Sequence, residues 1–354
     1  MAYARLYGRS GRSVSSLRIT PCHGRVCLFP EAGGAEAGVR ATPATVARID
    51  SSAGTCGKGG SASEERDGED GMGMSSGGAG GGGAPFGAQP VPGWLAVVIG
   101  ATRRLPRNAL GRRVAALARS IGARLHGGAV DVEVLGARMR LHTRGNACEK
   151  RLLFTPHFFD PEDLAFLEPM IGPDFVFIDV GANVGAYALF VAARGGPSAT
   201  VIAVEPHPVA RERLEFNVAS SGHRSTRIVP HALSDRAGTV RLRILAGNIG
   251  NTTIASGDRA RFEDAGIEVA TETLLALAQR HGLGRIDAIK LDIEGHEDVV
   301  LSAFFAEAPR PLWPRLLIFE NNRSQWSRDL ISEIAARGYE VLKTGPGNAV
   351  LRRR

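Results

Sequence analysis

The chain of 354 residues is 44% apolar and 22% charged, with a formal net charge of +7. That length holds one large domain or two ordinary ones, and no run of about 18 apolar residues marks a transmembrane helix. The basic excess comes without a zinc-finger, RNP-like or helix-turn-helix signal, so nucleic acid is not an expected partner. The four cysteines, Cys22, Cys27, Cys56 and Cys148, form no C-x-x-C pair, which argues against a disulfide framework and a zinc site.

Residues 1–93 are rich in Gly, Ser and Ala, with G-A-G-G-G-G at 78–83. Such a leader buries too little apolar surface to offset chain entropy and is expected to stay disordered. Five arginines and no acid in the first 25 residues also suit a transit peptide, and Met72 or Met74 offers an alternative start. From Trp94 to Leu125 the pattern turns helical. Val97, Val98, Leu105, Leu110, Val114, Leu117, Ile121 and Leu125 recur at three- and four-residue steps among seven arginines and no acid. Pro106 divides this basic amphipathic segment (94–128) into two pieces. It reads either as an accessory helix packed on the domain or as a peripheral membrane helix.

The folded domain is expected over 129–354. It starts with a β-hairpin, Val130, Val132 and Val134 alternating before the Gly136-Ala137 turn and Met139 and Leu141 after it. A short helix follows over 161–171, with Pro161 at its first position. Strands and helices then alternate. Strands are predicted at 175–180, 200–205, 226–233, 240–244, 287–292 and 314–320. Helices are predicted from about 184 and over 207–220, 272–281, 297–304 and 326–337. A closing hairpin, 339–343 and 348–352, supplies antiparallel edge strands. Alternation of this kind argues for an α/β fold with a mainly parallel sheet covered by helices on both faces.

In an open α/β sheet the ligand sits beyond the carboxyl ends of the strands. The first main strand ends at Asp179 and Val180 and runs into Gly181-Ala182-Asn183-Val184-Gly185. The glycines allow a tight turn and close backbone approach to a ligand. The second ends at Glu205, where an acid can accept hydrogen bonds from both hydroxyls of a ribose. A dinucleotide and S-adenosylmethionine both suit this geometry. The dinucleotide fingerprint G-x-G-x-x-G meets Gly181, Asn183 and Ala186 here, so the middle glycine that admits a pyrophosphate is missing. Asp179 is poorly placed beside a pyrophosphate and well placed for an ammonium group. Both points favour S-adenosylmethionine.

Five motifs stand in the order seen in the FkbM-type methyltransferases. They are F-I-D-V-G-A-N-V-G-A-Y (177–187), V-E-P-H-P (204–208), Asn217 in L-E-F-N-V-A, H-A-L-S-D (231–235) and I-K-L-D-I-E-G-H-E (289–297). The chain resembles that family over about 130–350, and the K-x-D-x-E-G-x-E element is the most diagnostic part. The segment 144–160 is similar to the lead-in of some members. The resemblance implies a Rossmann-like class I methyltransferase fold with a seven-stranded, mainly parallel sheet behind the hairpin and helical lead-in. It implies S-adenosylmethionine as donor and O-methylation of a sugar, glycolipid or other small molecule. It places Asp179, Gly181 and Gly185 by the methionine end and Glu205 by the ribose, with Asp235 as a partner for the adenine amine. Asn183 and Pro206 belong to the same motifs and join the cofactor set. Where many members read T-L-D, this chain reads T-L-L, with Leu275 in place of the acid.

Lys290, Asp292 and Glu294 alternate at a strand end, which puts them on one side. A hydroxyl acceptor needs a base or an orienting carboxylate. Asp292 or Glu294 is the candidate base, and Lys290 either takes part or only neutralises the acids. Glu297 and Glu320 are candidates for the acceptor pocket, Glu297 alternatively as a helix-start residue. Asn251, expected in a loop over the substrate, is a third, and Asn146 and Glu149 of the lead-in also qualify. His207, His231 and His296 lie near strand ends, as bases or as orienting histidines. No metal site is expected, since the D-x-E pair lacks a companion Asp-Asn signature. An NAD-dependent oxidoreductase, a non-catalytic Rossmann-like binding module, and a methyltransferase of protein or RNA are the rival readings. The expected location is cytoplasmic, with peripheral membrane contact through 94–125 as the variant.

Overall fold

The computed structural model describes residues 2–7, 13–22, 25–30, 84–245, 248–254 and 266–354, with the backbone alone over 2–30 and 243–254. The chain divides into two units, 1–77 and 78–354. In the first, β1 (Ala2–Tyr7), β2 (Ser13–Cys22) and β3 (Arg25–Pro30) pair antiparallel in that order, where the sequence reading drew no element. The rest of the leader to residue 83, with the alternative starts Met72 and Met74, lies outside the described residues.

The leader was expected to run unstructured to 93, but residues 84–89 are tied to the hairpin that follows. The Asp131 carboxylate accepts from the Gly87 and Gln89 N–H groups, and the Arg140 guanidinium donates to the Ala84 and Pro85 carbonyls. Two helices come next, α1 (Gly93–Arg103) and α2 (Ala109–His126), broken at Pro106 as predicted. Asn108 caps α2 and Gly127, at φ +69°, ends it. The pieces pack on the domain by an unexpected face. Leu95 and Ile99 of α1 enter the core, while α2 buries its small residues, Gly111, Ala115, Gly122 and Ala123. A Cβ on Gly122 would stand 2.7 Å from the Phe154 ring. The large apolar residues of α2 therefore remain outside. Leu110, Val114, Leu117, Ile121 and Leu125 are all exposed, as are Trp94 and Val97 of α1.

The hairpin is β4 (Ala129–Val134) and β5 (Ala137–His142). A helix the sequence reading did not separate, α3 (Ala147–Phe154), precedes α4 (Pro161–Leu167). The sheet then follows: β6 (Val176–Val180), α5 (Ala186–Gly195), β7 (Thr200–Val204), α6 (Pro208–Ser221) and β8 (Thr226–Val229). The strand expected over 226–233 breaks at Pro230, which cannot donate to a ladder. Its remainder, β9 (Ala232–Leu233), joins a second sheet with β10 (Gly238–Leu245), β11 (Asn248–Ile254) and β12 (Ile267–Glu272) in the order β11-β10-β12-β9. The main sheet resumes through α7 (Leu274–Arg280), β13 (Ala288–Leu291), α8 (Glu297–Glu307), β14 (Leu316–Glu320), α9 (Leu330–Ala336), β15 (Tyr339–Lys343) and β16 (Asn348–Arg353).

Its order is β15-β16-β14-β13-β6-β7-β8. The closing hairpin is where the sequence puts it, but of the seven strands β16 alone runs against the other six, and it lies one place in from the edge. The centre is buried on both sides, and period two sorts its residues. Phe177, Val201, Ala203 and Ile318 pack under α5, the hairpin and the lead-in helices, whereas Ile178, Ile202, Val204 and Phe319 pack under α7, α8 and α9. Each of the larger of these side chains stabilises the fold by about 1.5–3 kcal/mol.

The lead-in is fastened across the chain by a buried polar contact. Asp163 of α4 accepts from Lys343 Nζ at 2.6 Å and from Asn348 Nδ2 at 2.7 Å. Replacing Asp163 with Ala strands the buried Asn348 amide and leaves Lys343 only its exposed partner Glu162, and is expected to cost about 1–3 kcal/mol. Thermal unfolding of the full chain measures it, and an unchanged midpoint would deny this contact any role in holding α4 on the sheet.

Candidate active site

The site lies at the carboxyl ends of β6, β7 and β13. After β6 the chain turns through Gly181, at φ +76°, and the Gly181 and Ala182 N–H groups both donate to the Val204 carbonyl at the end of β7. A Cβ on Gly181 would stand 2.1 Å from the Asp292 carbonyl oxygen. No other residue fits there. Gly185, at φ +93°, serves a different purpose. Its missing Cβ makes room for Leu214, where an added one would stand at 2.6 Å. It lets α5 pack on α6 and does not line the cleft.

Glu205 is buried, and each of its oxygens accepts a backbone N–H, Asn183 at 2.7 Å and His207 at 2.8 Å. Burial nevertheless pushes the Glu205 carboxyl up to about 7, outweighing those two hydrogen bonds. Asp179 is also buried and accepts from the Ala188 N–H in the first turn of α5 at 2.9 Å. Burial raises it to about 6, against the pull of Lys290. Pro206 is part of the loop after β7, and its carbonyl accepts from Arg211. Asp235, just past β9, is exposed and pairs with Arg236 at 3.3 Å.

Lys290 is buried at the end of β13, with Nζ 3.0 Å from the Asp292 carboxylate and 5.2 Å from the centre of the Tyr187 ring. Burial alone would lower the Lys290 ammonium, but the Asp292 and Asp179 carboxylates outweigh it and raise it. Asp292 is exposed at the cleft mouth. Glu294, in the left-handed region at φ +54°, and Glu320, ending β14, meet it there, with carboxylate oxygens of all three within 4.8 Å of one another. Burial and the crowding of like charges push Glu294 up to about 7 and Glu320 up to about 8. Asn322 donates to Glu320.

The cleft brings Asp179, Gly181, Asn183, Lys290, Asp292 and Glu294 together. Its opposite wall comes from the lead-in through residues the sequence reading did not single out: Arg151, Phe159, Asp160 and, from α5, Tyr187. Tyr187 donates its hydroxyl to Asp160 at 3.2 Å. Asp160, directly before Pro161, holds φ +38°, and Tyr187 ends the glycine-turn motif. Those were the only signals available.

Several expected site residues do other work. Glu297 is fully buried. One oxygen accepts from the Ile293 and Gly295 N–H groups and the other from the Trp326 indole, so it fastens the loop and has no face for substrate. Glu149 is likewise enclosed, joining His142 of β5 to Arg213 of α6. Asn146, by contrast, lines the cleft from the lead-in as expected, while it also caps α3 and donates its side-chain amide to Asn183 Oδ1 at 2.7 Å. Asn251, expected in a loop, lies in β11, where Thr252, Thr253 and Ile254 favour an extended chain. His207 caps α6 through Nδ1, His231 pairs with Glu272, and His296 meets Ser234. Leu275 packs against the core beside the Thr273 cap of α7.

Residues 179–341 match the methyltransferase FkbM domain. The chain is 27% identical to methyltransferase sdnD of Sordaria araneosa, over 52% of this chain and 87% of that protein. A shorter stretch, 49 residues at 47% identity, is similar to part of the AMB antimetabolite synthetase AmbE of Pseudomonas aeruginosa, covering 14% of this chain and 2% of that one. Among solved structures, an S-adenosylmethionine-dependent O-methyltransferase of Thermotoga maritima aligns over 55% of this chain and 65% of its own, at 13% identity and a TM-score of 0.34. A Streptococcus mutans protein solved with SAH aligns over 54% and 98%, at 7% identity and a TM-score of 0.33.

Because the Gly181 position combines positive φ with a backbone oxygen in the Cβ volume, Gly181→Ala is expected to destabilise by about 2 kcal/mol or more. A lowered unfolding midpoint in the full chain checks this. A midpoint equal to that of the unmodified chain would mean the β6 and β13 turns separate without cost.

Proposed function

The chain carries a methyltransferase FkbM domain over residues 179–341, and from that premise we propose that it methylates a hydroxyl oxygen of a sugar, glycolipid or other small molecule. The observation that carries the reading is that Asp179 and the Asp292 and Glu294 carboxylates line one cleft. The cofactor fits. Gly181, Ala182 and Asn183 line the cleft beside Asp179, an acid for an ammonium group, and Glu205 lies behind that turn, holding the Asn183 N–H and placed to meet a ribose only if it exchanges a backbone partner for it. S-adenosylmethionine, when bound, supplies an electrophilic methyl group on a positively charged sulfur. A dinucleotide fits less well. Asn183 occupies the position of the middle glycine, with its N–H committed to Glu205 and its side chain to Asn146.

The acceptor end is the carboxylate cluster. As its oxygen gains the methyl group, the acceptor hydroxyl loses its proton, and a carboxylate receives it. Glu294, raised to about 7, is matched to that task near neutral pH. Asp292 orients the hydroxyl while held by Lys290 at 3.0 Å. Alignment of acceptor and donor contributes at least as much as proton removal. Tyr187, Phe159 and Asp160 close the far wall and limit water.

Calorimetry on the full chain is expected to show binding of S-adenosylmethionine but not NAD, weakened by Asp179→Ala and by Glu205→Ala. A folded chain that binds NAD and not S-adenosylmethionine would overturn the reading. The raised carboxyls give the affinity a pH dependence. Asp179 and Glu205 lose charge as pH falls through about 6 and about 7, and charge-assisted bonds are roughly twice as strong as neutral ones. Affinity for the cation is therefore expected to rise with pH up to about 7 and then level off. The sign for folding is opposite. Groups raised in the folded state favour it most at low pH and lose that contribution as pH rises through the folded values. An affinity independent of pH would remove these two acids from the cofactor site.

Glu294→Gln is expected to slow release of S-adenosylhomocysteine, over a panel of sugars and glycolipids, by about a hundredfold or more. It should also abolish the rise in rate near pH 7 while cofactor affinity holds. A variant with the full rate would assign the base elsewhere.

A further inference from the structure

A second cleft adjoins the first. Its walls are α2 and the stretch from the end of β5 into α3, and it is lined by Arg119, Arg124, Arg144, Lys150 and Arg151 without a single acid. Ala147 and Arg151 line both clefts, so the two share a wall. Arg151 is the hinge between them. It pairs with Asp160 on the reaction side at 3.0 Å and with its other flank faces the basic cleft. The remaining four form no ion pair among the described residues. Arg119 reaches only the Thr155 hydroxyl, at 3.5 Å, and Arg144 donates to the Arg124 carbonyl at 2.8 Å. Arg119 is partly desolvated as well as close to another cation. Burial and, after it, Arg151 lower its guanidinium from the ordinary value.

Five cations around one cleft repel one another, and only Arg151 has a carboxylate partner, Asp160. An anionic ligand resolves that cost. The donors are of the right kind for a phosphate, since planar guanidinium groups make forked bonds to its oxygens and a lysine adds a point charge. The Ser120 hydroxyl adds a donor on the α2 wall. We propose that this cleft binds a phosphate group of the acceptor, anchoring it while the acceptor's hydroxyl reaches the carboxylate cluster next door. The proposal deepens the hydroxyl-methylation reading and rests on it. It narrows the acceptor to a phosphorylated sugar or a lipid-borne molecule with a phosphate in its headgroup. The lipid source has structural support of its own. The helix that walls the cleft turns Leu110, Val114, Leu117, Ile121 and Leu125 outward, with exposed Arg112, Arg113 and Arg124 between them, the composition of a helix that lies on an anionic membrane surface.

The test uses the full chain and the double charge reversal Arg124→Glu with Lys150→Glu, two side chains with no carboxylate partner to lose. Inorganic phosphate and a hexose phosphate are titrated calorimetrically, and phosphatidylcholine vesicles with and without phosphatidylglycerol are sedimented with the protein. S-adenosylmethionine binding is measured on both proteins. Saturable binding of a phosphate probe that weakens about tenfold or more in the variant, with cofactor affinity unchanged, is the expected result. Binding of hexose phosphate points to a soluble acceptor. Phosphatidylglycerol-dependent sedimentation lost in the variant, without hexose phosphate binding, points to the lipid. If phosphate and anionic vesicles bind both proteins equally, or neither binds at all, while the cofactor still binds, the phosphate site is overturned and the methyltransferase reading stands. If phosphate binds as expected and S-adenosylmethionine does not bind, the acceptor role falls together with that reading.

Discussion

The contact between Gly181 and the Asp292 carbonyl sets the position of everything else in the site. Two crossing turns, one after β6 and one after β13, come so close that a side chain on the first would occupy the backbone of the second. The Asp292 N–H donates to the Val180 carbonyl, which locks the two strand ends in register. Asp179 and Lys290 face each other as register partners on these strands, so the Asp179 carboxylate and the Lys290 ammonium are fixed relative to each other by backbone. Side-chain packing then has only to choose rotamers. A site built on strand ends in this way holds its groups more tightly than one built on loops.

Around that contact the charges are unequal. Lys290 is one buried cation among Asp179, Asp292, Glu294 and Glu320. In isolation the excess of acid is costly, and the fold answers it by leaving Glu294 and Glu320 readily protonated. A cationic cofactor changes that balance, because it arrives where the negative charge is in excess. A cation near Asp179 and Asp292 relieves part of that excess, while Glu294 and Glu320 remain raised toward neutrality. Glu297, one residue-pair farther along, shows the contrast. Three N–H donors fasten it to the loop, and it acts on Glu294 and Glu320 only as a neighbouring negative charge that helps to raise them.

The parts of this arrangement that are local in sequence were legible there. Short, nearly continuous apolar runs marked β6, β7, β13 and β14, and the glycine turn after β6 marked the cleft. What failed was decided by distant contacts. Glu149 and Glu297 looked like pocket acids because a carboxylate beside a motif carries no sign of the donors that will enclose it, Arg213 and His142 for one, Trp326 for the other. Nothing near Tyr187 or Arg151 shows that α3 folds back over the glycine turn. Pro230 was the one missed local signal. It ends β8 and releases β9 to the second sheet, which the reading of 226–233 as a single strand overlooked.

Helix α2 shows why an amphipathic pattern names a face without naming its partner. Its apolar residues at three- and four-residue steps predict a buried stripe. The helix instead docks through Gly122 and Ala123, because only small residues let it approach Phe154. Close approach fixes the rotation of the helix, and that rotation turns the leucine stripe outward and Arg119 and Arg124 toward the lead-in. A single packing choice thus produces both an uncovered apolar stripe and a basic cleft beside the reaction site. An acceptor that is apolar at one end and phosphorylated near its hydroxyl would meet both surfaces at once, and a neutral, water-soluble one would meet neither.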